Sequence, residues 1–300
     1  FKTMKKILLL TFLFSSYCLQ AQMINDPSFD SKVLQPFYKN NSGPKVLIDG
    51  GHHNFFIQRS LMNPFIDLVK SDGYNPQIDS LPITKKHLAT YGIVVLDAAF
   101  PFDNGTKKEL GDMKAYSKEE IDHIYNYVNK GGSLLILAEK SPFINAMESL
   151  LNKFGITASY GTIADTLHQD KKFGKNVIHY SKENGMLTGD HPILKGRNAS
   201  EEINHIVMIT ASAFKGKDYT NLLPTSSAAQ MGNAGVFTPV EQGSSVGLAG
   251  KVGKGKVVVL SDTEIFIAML FGKDKVKVGM QMPEYDLKQF ALNIMHWLSK

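Results

Sequence analysis

Short apolar runs alternate with amphipathic segments along the first half of the chain. Residues 46–48, 91–97 and 133–138 form three such runs, and residues 256–260 form a fourth near the C-terminus. Continuous apolar runs are typical of strands that are buried on both faces of a parallel sheet. Because helical segments separate the runs, we predict an α/β fold with a doubly wound, mainly parallel sheet.

Four helices are predicted, over residues 58–72, 117–129, 142–154 and 284–299. In the first, Pro64 offers an alternative first turn with Asn63 as its cap. Ser117 and Glu120 form a capping box that begins the second helix, because their side chains can satisfy backbone amides at the helix start. Residues 261–264 are expected to cap a further helix.

The regular alternation stops between residues 158 and 242. This stretch is polar and rich in Gly, Ser, Asn and Lys. We interpret it as an insertion of short strands and loops in a single domain that covers residues 23–300. Strand character returns at residues 246–250. The glycine-rich, basic stretch at 250–255 leads into another strand, so a β-hairpin turn is favoured over a phosphate-binding loop.

The first 22 residues predict a secretory signal peptide. Two lysines precede an apolar core at residues 7–14, which is too short to span a bilayer, and the small residue Ala21 lies near the expected cleavage site. Tyr17 precedes Cys18, which disfavours a lipoprotein signal. We therefore expect a periplasmic or secreted protein with no integral membrane segment after cleavage.

Composition excludes several kinds of chemistry. Cys18 is the one cysteine and lies in the predicted signal, so the processed chain would have no disulfide, thiolate ligand or cysteine nucleophile. Without the signal, 30 Lys and Arg face 28 Asp and Glu, a net charge of +2. This weak charge gives no reason to expect a nucleic-acid partner. Only Arg59 and Arg197 could clamp an anion through two nitrogens.

Polar side chains follow each of the four predicted sheet strands. They are Asp49, His52, His53 and Asn54 after the first, Asp97 after the second, Glu139 and Lys140 after the third, and Asp262 and Glu264 after the last. The aromatic Phe100 and Phe102 also follow the second strand. Parallel strands end at one edge of a sheet, where ligands bind in α/β folds. We therefore predict a site at this edge. The alternative is that Asp97, Asp262 and Glu264 only cap helices or satisfy loop amides, and for Asp262 this role is favoured.

Glu139 stands where a strand turns directly into a helix. Such an elbow lifts one side chain above the sheet. A carboxylate there, beside His52 and His53, can act as an acid, a base or an orienting partner. The alternative is a surface glutamate that forms an ion pair with Lys140. Both interpretations remain open from the sequence.

A second candidate motif lies at residues 190–196. Pro192 keeps His191 extended, and His191 and Arg197 either face a ligand or flank a rigid loop. No zinc-binding spacing occurs, and the adjacent His52 and His53 are expected to point apart, so neither a metal nor any other cofactor is predicted.

Five motifs resemble the class I glutamine amidotransferase-like superfamily, namely VLIDGGHHN, YGIVVLDAA, YVNKGGSLLILAE, GDHPILKG and GKGKVVVLSD. Within it, residues 45–300 resemble the ThuA-like branch and the related DUF4350 domains of secreted Bacteroidota proteins. The resemblance implies a flavodoxin-like sandwich and a connection with sugars. Amidotransferases need a cysteine at the elbow, where this chain has Glu139, so glutamine hydrolysis through a thiolate is excluded.

These observations lead us to expect an exported carbon–oxygen lyase that acts on uronic-acid oligosaccharides. A base would remove the C5 proton, and the group at C4 would leave as water from a dehydratase or as a sugar from a lyase. His53 or His52 would be the base, because imidazole is a side-chain type that titrates near neutral pH.

The remaining roles follow from charge. Lys140 or Arg197 would neutralise the substrate carboxylate as charge develops in the transition state. Glu139 or His191 would protonate the departing oxygen. The other predicted contacts to substrate come from Asp49, Asn54, Asp97, Phe100 and Glu264.

Two other functions stay open. A glycoside hydrolase would use two carboxylates, such as Glu139 and Asp97, about 5 to 10 Å apart across a cleft. A non-catalytic envelope protein would bind a sugar or a partner with the same surface, and the missing cysteine motivates that alternative.

Overall fold

The structure is a computed structural model that describes residues 23–101 and 113–300. The predicted signal peptide and Phe102 lie outside the described residues. The strands are β1 (Met23–Asn25), β2 (Lys45–Asp49), β3 (Asn75–Asp79), β4 (Ile93–Asp97), β5 (Ser133–Leu137), β6 (Ile156–Ser159), β7 (Thr162–Ala164), β8 (Gln169–Asp170), β9 (Gly174–Ser181), β10 (His205–Ile209), β11 (Ala213–Gly216), β12 (Thr220–Pro224), β13 (Gln230–Asn233), β14 (Val236–Pro239), β15 (Ser245–Val252), β16 (Gly255–Leu260), β17 (Ala268–Phe271) and β18 (Val276–Gly279).

The α-helices are α1 (Phe55–Gln58), α2 (Asn63–Ser71), α3 (Lys85–Leu88), α4 (Lys118–Asn129), α5 (Phe143–Lys153), α6 (Pro192–Lys195) and α7 (Leu287–Leu298). Short 3-10 helices cover Lys39–Asn41, Ala199–Glu201 and Glu264–Phe266. In the described part of the chain, no helix has the length and apolar character needed to cross a membrane.

A nine-stranded sheet organises the fold. Its order is β3-β2-β4-β5-β16-β15-β11-β6, with β12 also paired to β15. The first five strands are parallel, and β15, β11, β6 and β12 add antiparallel pairs. Counted along the chain, the parallel strands take the order 2-1-3-4-5 of flavodoxin-like folds. The predicted fold class is therefore confirmed.

Two apolar layers cover the parallel strands. In β2, Val46 and Ile48 join the layer that contains residues of α2 and α7, whereas Leu47 joins the layer that contains residues of α4 and α5. The same alternation recurs in β4, β5 and β16. A strand buried on both faces has no polar side, and this explains the continuous apolar runs in the sequence.

Several sequence-based boundaries need correction. The helix predicted over residues 58–72 is divided into α1 and α2, and Pro64 lies in the first turn of α2 as the alternative reading had it. Strand β3 was not predicted, because it lies at the sheet edge and has no fully buried residue. The predicted helix after residues 261–264 is wrong, since a three-residue 3-10 helix leads instead into β17. The hairpin turn between β15 and β16 is confirmed.

The stretch over residues 158–242 consists of short strands, as predicted, but part of it continues the main sheet. Strands β11 and β12 both pair with β15. Two three-stranded antiparallel sheets, β10-β9-β8 and β14-β13-β7, make up much of the rest. The antiparallel pairing brings β16, the last parallel strand, into the middle of the sheet rather than to its edge.

Candidate active site at the carboxyl ends of the parallel strands

Polar side chains at the ends of β2, β4, β5 and β16 form one connected network, which we call the rim site. Its members are Asp49, His52, Asn54, Asp97, Tyr116, Glu120, Glu139, Lys140, Thr263 and Glu264. The order of strand addition changes direction between the parallel neighbours β2 and β4, because β3 lies on one side of β2 and β4 on the other. This is the position where flavodoxin-like folds bind ligands. The predicted convergence of strand-end residues is therefore present.

His52 lies between two carboxylates. Its Nδ1 is 2.9 Å from both Oδ1 and Oδ2 of Asp49, and its Nε2 is 3.1 Å from Oε1 of Glu120. Burial lowers the pKa of His52, but the hydrogen bond and charge of Asp49, with the charge of Glu120, outweigh this effect and raise it above its usual value. The imidazole therefore tends to keep its proton near neutral pH.

Asp49 is a buried carboxylate that fixes the position of His52. It is 2% exposed, and it accepts hydrogen bonds from Tyr116 Oη at 2.8 Å and from the Asn54 side chain at 3.3 Å, in addition to its contact with His52. Asn54 is fully buried, and its Nδ2 also donates to the Asp97 carbonyl at 2.7 Å. The prediction that Asp49 and Asn54 contact substrate is wrong in this geometry, because neither side chain reaches the surface.

Asp97 is fully enclosed under the same network. Thr263 Oγ1 donates to its Oδ1 at 2.9 Å, and its Oδ2 has no hydrogen-bond partner among the described residues. Burial raises its pKa well above the usual value, the Thr263 hydrogen bond opposes this rise, and the charges of Glu139 and Asp49 add to it. Asp97 is thus inaccessible to a substrate, contrary to the prediction of a binding role.

The elbow after β5 is present at Glu139, whose φ of 60° lies in the left-handed region. The side chain is only 1% exposed, however, and does not stand above the sheet. Its Oε1 accepts from Lys140 Nζ at 2.6 Å, and its Oε2 accepts from the Thr263 amide at 2.9 Å. The pairing with Lys140 that we considered as an alternative is therefore present, but it is buried rather than at the surface.

Lys140 and Glu264 form the accessible end of the rim site. Their side chains are 31% and 16% exposed, and Lys140 Nζ lies 3.8 Å from Glu264 Oε1. Burial raises the pKa of Glu264 to about 7, although the charge of Lys140 lowers it and that of Glu139 raises it. Burial lowers the pKa of Lys140, but the nearby carboxylates outweigh this and raise it. Lys140 therefore carries a positive charge beside a carboxyl that titrates near neutral pH.

Three of the eight non-glycine residues that have positive φ in the described part of the chain lie in these loops. His53, Ala98 and Glu139 have positive φ values of 48°, 33° and 60°, and they follow β2, β4 and β5 respectively. Such conformations cost roughly 1–3 kcal/mol each for residues with a Cβ, and they tend to occur at functional sites. His53 is partly exposed, and its Nδ1 lies 3.4 Å from the Gln58 side-chain nitrogen. The two adjacent histidines point apart, as expected.

Aromatic side chains from three of these loops pack together. Phe143 lies 5.4 Å from Phe55 and 5.4 Å from Phe100, measured between ring centroids, and all three are partly exposed. The Phe100 amide also donates to the His52 carbonyl at 2.8 Å. Phe100 is therefore beside the rim site as predicted. Phe55 and Phe143 were not recognised from the sequence, although each follows a predicted site loop directly.

His191 and Arg197 lie elsewhere. His191 contacts the ring of Trp297, near the C-terminal end of α7, where the Trp297 carbonyl accepts from Lys256 at the start of β16. Arg197 is bound by Glu201 through two nitrogens. Both belong to the amino-end side of the sheet, so the expectation that they join the rim residues is wrong.

One further predicted residue, Asp262, has a structural role, and two site residues were not predicted. Asp262 is fully buried and accepts from the amides of Ile209 and Glu264, which is the structural role we favoured. Tyr116 and Glu120 are members that sequence reasoning missed as site residues. The sequence indicated Glu120 only as a member of the capping box with Ser117, and that capping box is also present.

An open groove of about 850 Å³ lies beside Tyr116 and Glu120, between α4 and α5. Its wall includes the basic side chains Lys114, Lys118 and Lys153. A separate cavity of about 520 Å³ lies between α3 and the C-terminal end of α4, at the opposite edge of the sheet. Over the described ranges, no three His, Cys, Asp or Glu side chains are grouped so as to hold a metal ion.

Comparisons with known proteins support the fold. No protein-family model matches the chain, and no curated protein sequence matches it. The structure titled mmIFT52 N-terminal domain is similar, with a TM-score of 0.58 and 15% identity over 85% of this chain and 97% of that one. A ThuA-like protein from Bacteroides uniformis aligns at a TM-score of 0.45 and 12% identity, over 91% of this chain and 95% of that one.

A third structure is the exo-beta-1,4-mannosidase Op5Man5 from an Opitutaceae bacterium. It aligns at a TM-score of 0.39 and 13% identity, over 73% of this chain and 31% of the enzyme. At these identities the likeness concerns the fold alone. Known solved structures therefore include this α/β architecture, and the function has to be argued from the rim site.

Proposed function

We propose that the chain is an exported carbohydrate-active enzyme that eliminates water, or a sugar, from uronic-acid-containing oligosaccharides. The observation that carries the proposal is the His52 imidazole held between Asp49 and Glu120, in the same network as the Lys140 and Glu264 pair. Export follows from the signal predicted in the first 22 residues. The chemistry needs three kinds of group, and the rim site and the adjacent His53 offer a candidate for each.

A proton acceptor is needed for the C5 proton. His53 is partly exposed and has no carboxylate within hydrogen-bonding distance among the described residues. It therefore remains the candidate base that we inferred from the sequence. His52 fits this role less well, because its two carboxylate neighbours favour the protonated imidazolium.

A proton donor is needed for the oxygen that leaves C4. Glu264 is accessible, and its pKa of about 7 keeps part of the population protonated under neutral conditions. The His52 imidazolium is the other accessible donor. Glu139 loses the role that we first assigned to it, because it is buried and accepts two hydrogen bonds. It instead fixes the position of Lys140.

A cation is needed beside the substrate carboxylate as negative charge builds up at C5. Lys140 has three N–H donors, of which one is directed to Glu139. In the adjacent groove, Lys153 is paired with Asp122, whereas Lys114 and Lys118 would attract further acidic units of an oligosaccharide. In the balanced reaction, the C5–H proton goes to the base, the C4–O bond breaks, and the oxygen leaves as water after it gains a proton.

The hydrolase alternative is weaker in this geometry. Asp97 and Glu139 are 0% and 1% exposed, so they cannot flank a glycosidic bond in a cleft. The burial of these carboxylates also favours the binding-protein alternative, which makes no use of proton transfer. Turnover of a uronic-acid substrate distinguishes it from the lyase.

The test is turnover by the purified protein of uronic-acid oligosaccharides that carry a free C4 hydroxyl on the terminal unit. The proposal predicts new ultraviolet absorbance from the C4=C5 double bond and a product lighter by one water. His53→Ala should abolish the change, and His87→Ala, which removes a half-buried histidine paired with Asp79 on the edge strand β3, should not. Equal activity of the two variants would remove His53 from the mechanism.

A further inference from the structure

Arg59 occupies an unusual position among the basic residues near the rim site. Its guanidinium carbon lies 3.8 Å from the centroid of the Phe55 ring, and its Nη1 donates to the Phe55 carbonyl at 3.2 Å. Stacking and this hydrogen bond hold the planar group in place although the residue is exposed. The remaining N–H groups of the guanidinium are left for other acceptors.

The other arginine cannot play this part. The guanidinium of Arg197 is already paired with Glu201 through Nε and Nη2, and its Nη2 also donates to the Gln35 carbonyl. Arg59 differs, because among the described residues no carboxylate forms an ion pair with it as Glu201 does with Arg197. An ordered arginine without a carboxylate partner is suited to bind a planar oxyanion through two parallel hydrogen bonds.

The surroundings of Arg59 indicate which kind of oxyanion it would bind. Phe55 supports the guanidinium and packs on Phe143, which in turn packs on Phe100. Phe55 and Phe143 are the first residues of α1 and α5, and Phe100 lies in the loop after β4. The rings of Phe55 and Phe100 meet that of Phe143 at 61° and 59°, so the three form an angled apolar patch beside the rim site, which we call the shelf. Apolar ring faces next to a fixed cation match the surface of an acidic sugar, which has C–H groups on its ring and a carboxylate at its edge.

We propose that Arg59 and the shelf of Phe55, Phe100 and Phe143 form a subsite for one uronic-acid unit, whose carboxylate binds the Arg59 guanidinium through two hydrogen bonds. This inference rests on the proposed function and names the residue that selects the acidic substrate. Lys140 then serves the unit that reacts, and Arg59 serves a neighbouring unit. Arg59 is a specificity residue and takes no part in proton transfer.

The test separates binding from turnover. The probe is a (1→3)-linked tetrasaccharide of 4-deoxyuronic acids, in which no unit has a leaving group at C4 and neither elimination can occur, and its binding is measured by calorimetry. We expect Arg59→Ala to weaken binding about 10- to 100-fold, as for loss of hydrogen bonds to a charged group. Arg59→Lys should recover only part of the affinity, because an ammonium keeps the charge but not the fork of donors. Lys254→Ala, which removes an exposed cation from the hairpin at the opposite edge, should bind normally.

Two further probes identify the anion. A carboxyl-reduced tetrasaccharide should bind the wild-type protein weakly and show no difference between wild type and Arg59→Ala. If Arg59→Ala weakens both probes equally, Arg59 acts on the shelf and not on the carboxylate, and the inference is overturned. If a sulfated neutral tetrasaccharide depends on Arg59 and the uronic-acid probe does not, the carboxylate assignment is wrong.

The outcomes also separate this inference from the proposed function. Arg59-dependent binding without elimination of any substrate would leave the subsite standing and refute the lyase. Elimination by the wild type with an unchanged KM in Arg59→Ala would leave the lyase standing and refute the subsite. If the subsite is correct, Arg59→Ala should raise KM about 10- to 100-fold with little change in kcat.

Discussion

Two lysine–carboxylate pairs have the same length and very different surroundings, and this permits a controlled test of the rim site. Lys140 Nζ lies 2.6 Å from Glu139, and Lys153 Nζ lies 2.6 Å from Asp122. Glu139 is 1% exposed, whereas Asp122 is 41% exposed. We expect Lys140→Met to destabilise the protein strongly and Lys153→Met to leave its stability nearly unchanged.

The magnitude follows from the charge that is left behind. Breaking a buried ion pair costs about 3–5 kcal/mol, because the remaining charge is uncompensated. Here the lower end applies, since Glu139 keeps its hydrogen bond from the Thr263 amide and Lys140 is partly exposed. Methionine retains most of the lysine stem, so lost packing contributes little. We therefore expect a loss of about 3 kcal/mol for Lys140→Met.

Urea unfolding at pH 7.5 measures this difference. With an unchanged m value, the midpoint of Lys140→Met should fall by about 1 to 3 M, whereas that of Lys153→Met should not move. Equal midpoints for the two variants would refute the claim that the rim site contains a buried charge pair.

Three further predictions concern titration of the rim. The raised pKa of His52 stabilises the fold below the usual histidine value of about 6.5, and this contribution disappears as the pH rises through the folded value. Asp49→Asn should therefore lower the His52 midpoint in an NMR titration and lower the melting temperature more at pH 5 than at pH 9; a loss independent of pH would contradict this. The raised pKa of Asp97 has the opposite consequence, because stability falls as the pH rises above the usual aspartate value toward the folded one, and Asp97→Asn should flatten that fall in urea unfolding measured across pH. If Glu264 donates the proton, kcat should fall above about pH 7, and Glu264→Gln should be slower with no such limb; a wild-type profile that stays flat to pH 9 would exclude the role.

The central strands of the sheet could be predicted because a strand that is buried on both faces consists of consecutive apolar residues. Each central parallel strand is a continuous apolar run, and the capping box at Ser117 and Glu120 was read correctly. The edge strand β3 has no such apolar run, since it contains no fully buried residue. The helix expected after Asp262 failed for a different reason, because its cap-like residues satisfy isolated loop amides.

For the site, sequence reasoning found which loops converge but not which side chains reach the surface. Asp49, Asn54 and Asp97 were expected to contact substrate, and all are buried. Burial of a loop residue depends on what the neighbouring strands place above it, and a single sequence does not contain that information. Glu120 was invisible as a site member for the same reason, since its contact with His52 bridges 68 residues.

Elimination by the wild-type protein is the most direct test of the central claim. The protein would be incubated with oligosaccharides that carry a terminal uronic acid with a free C4 hydroxyl, and ultraviolet absorbance and product mass would be followed together. The proposed function predicts new absorbance with the loss of one water per chain, or with chain shortening if a sugar leaves. Unchanged spectra and masses across uronic-acid substrates of different linkage would contradict it, and shorter chains without new absorbance would point to hydrolysis.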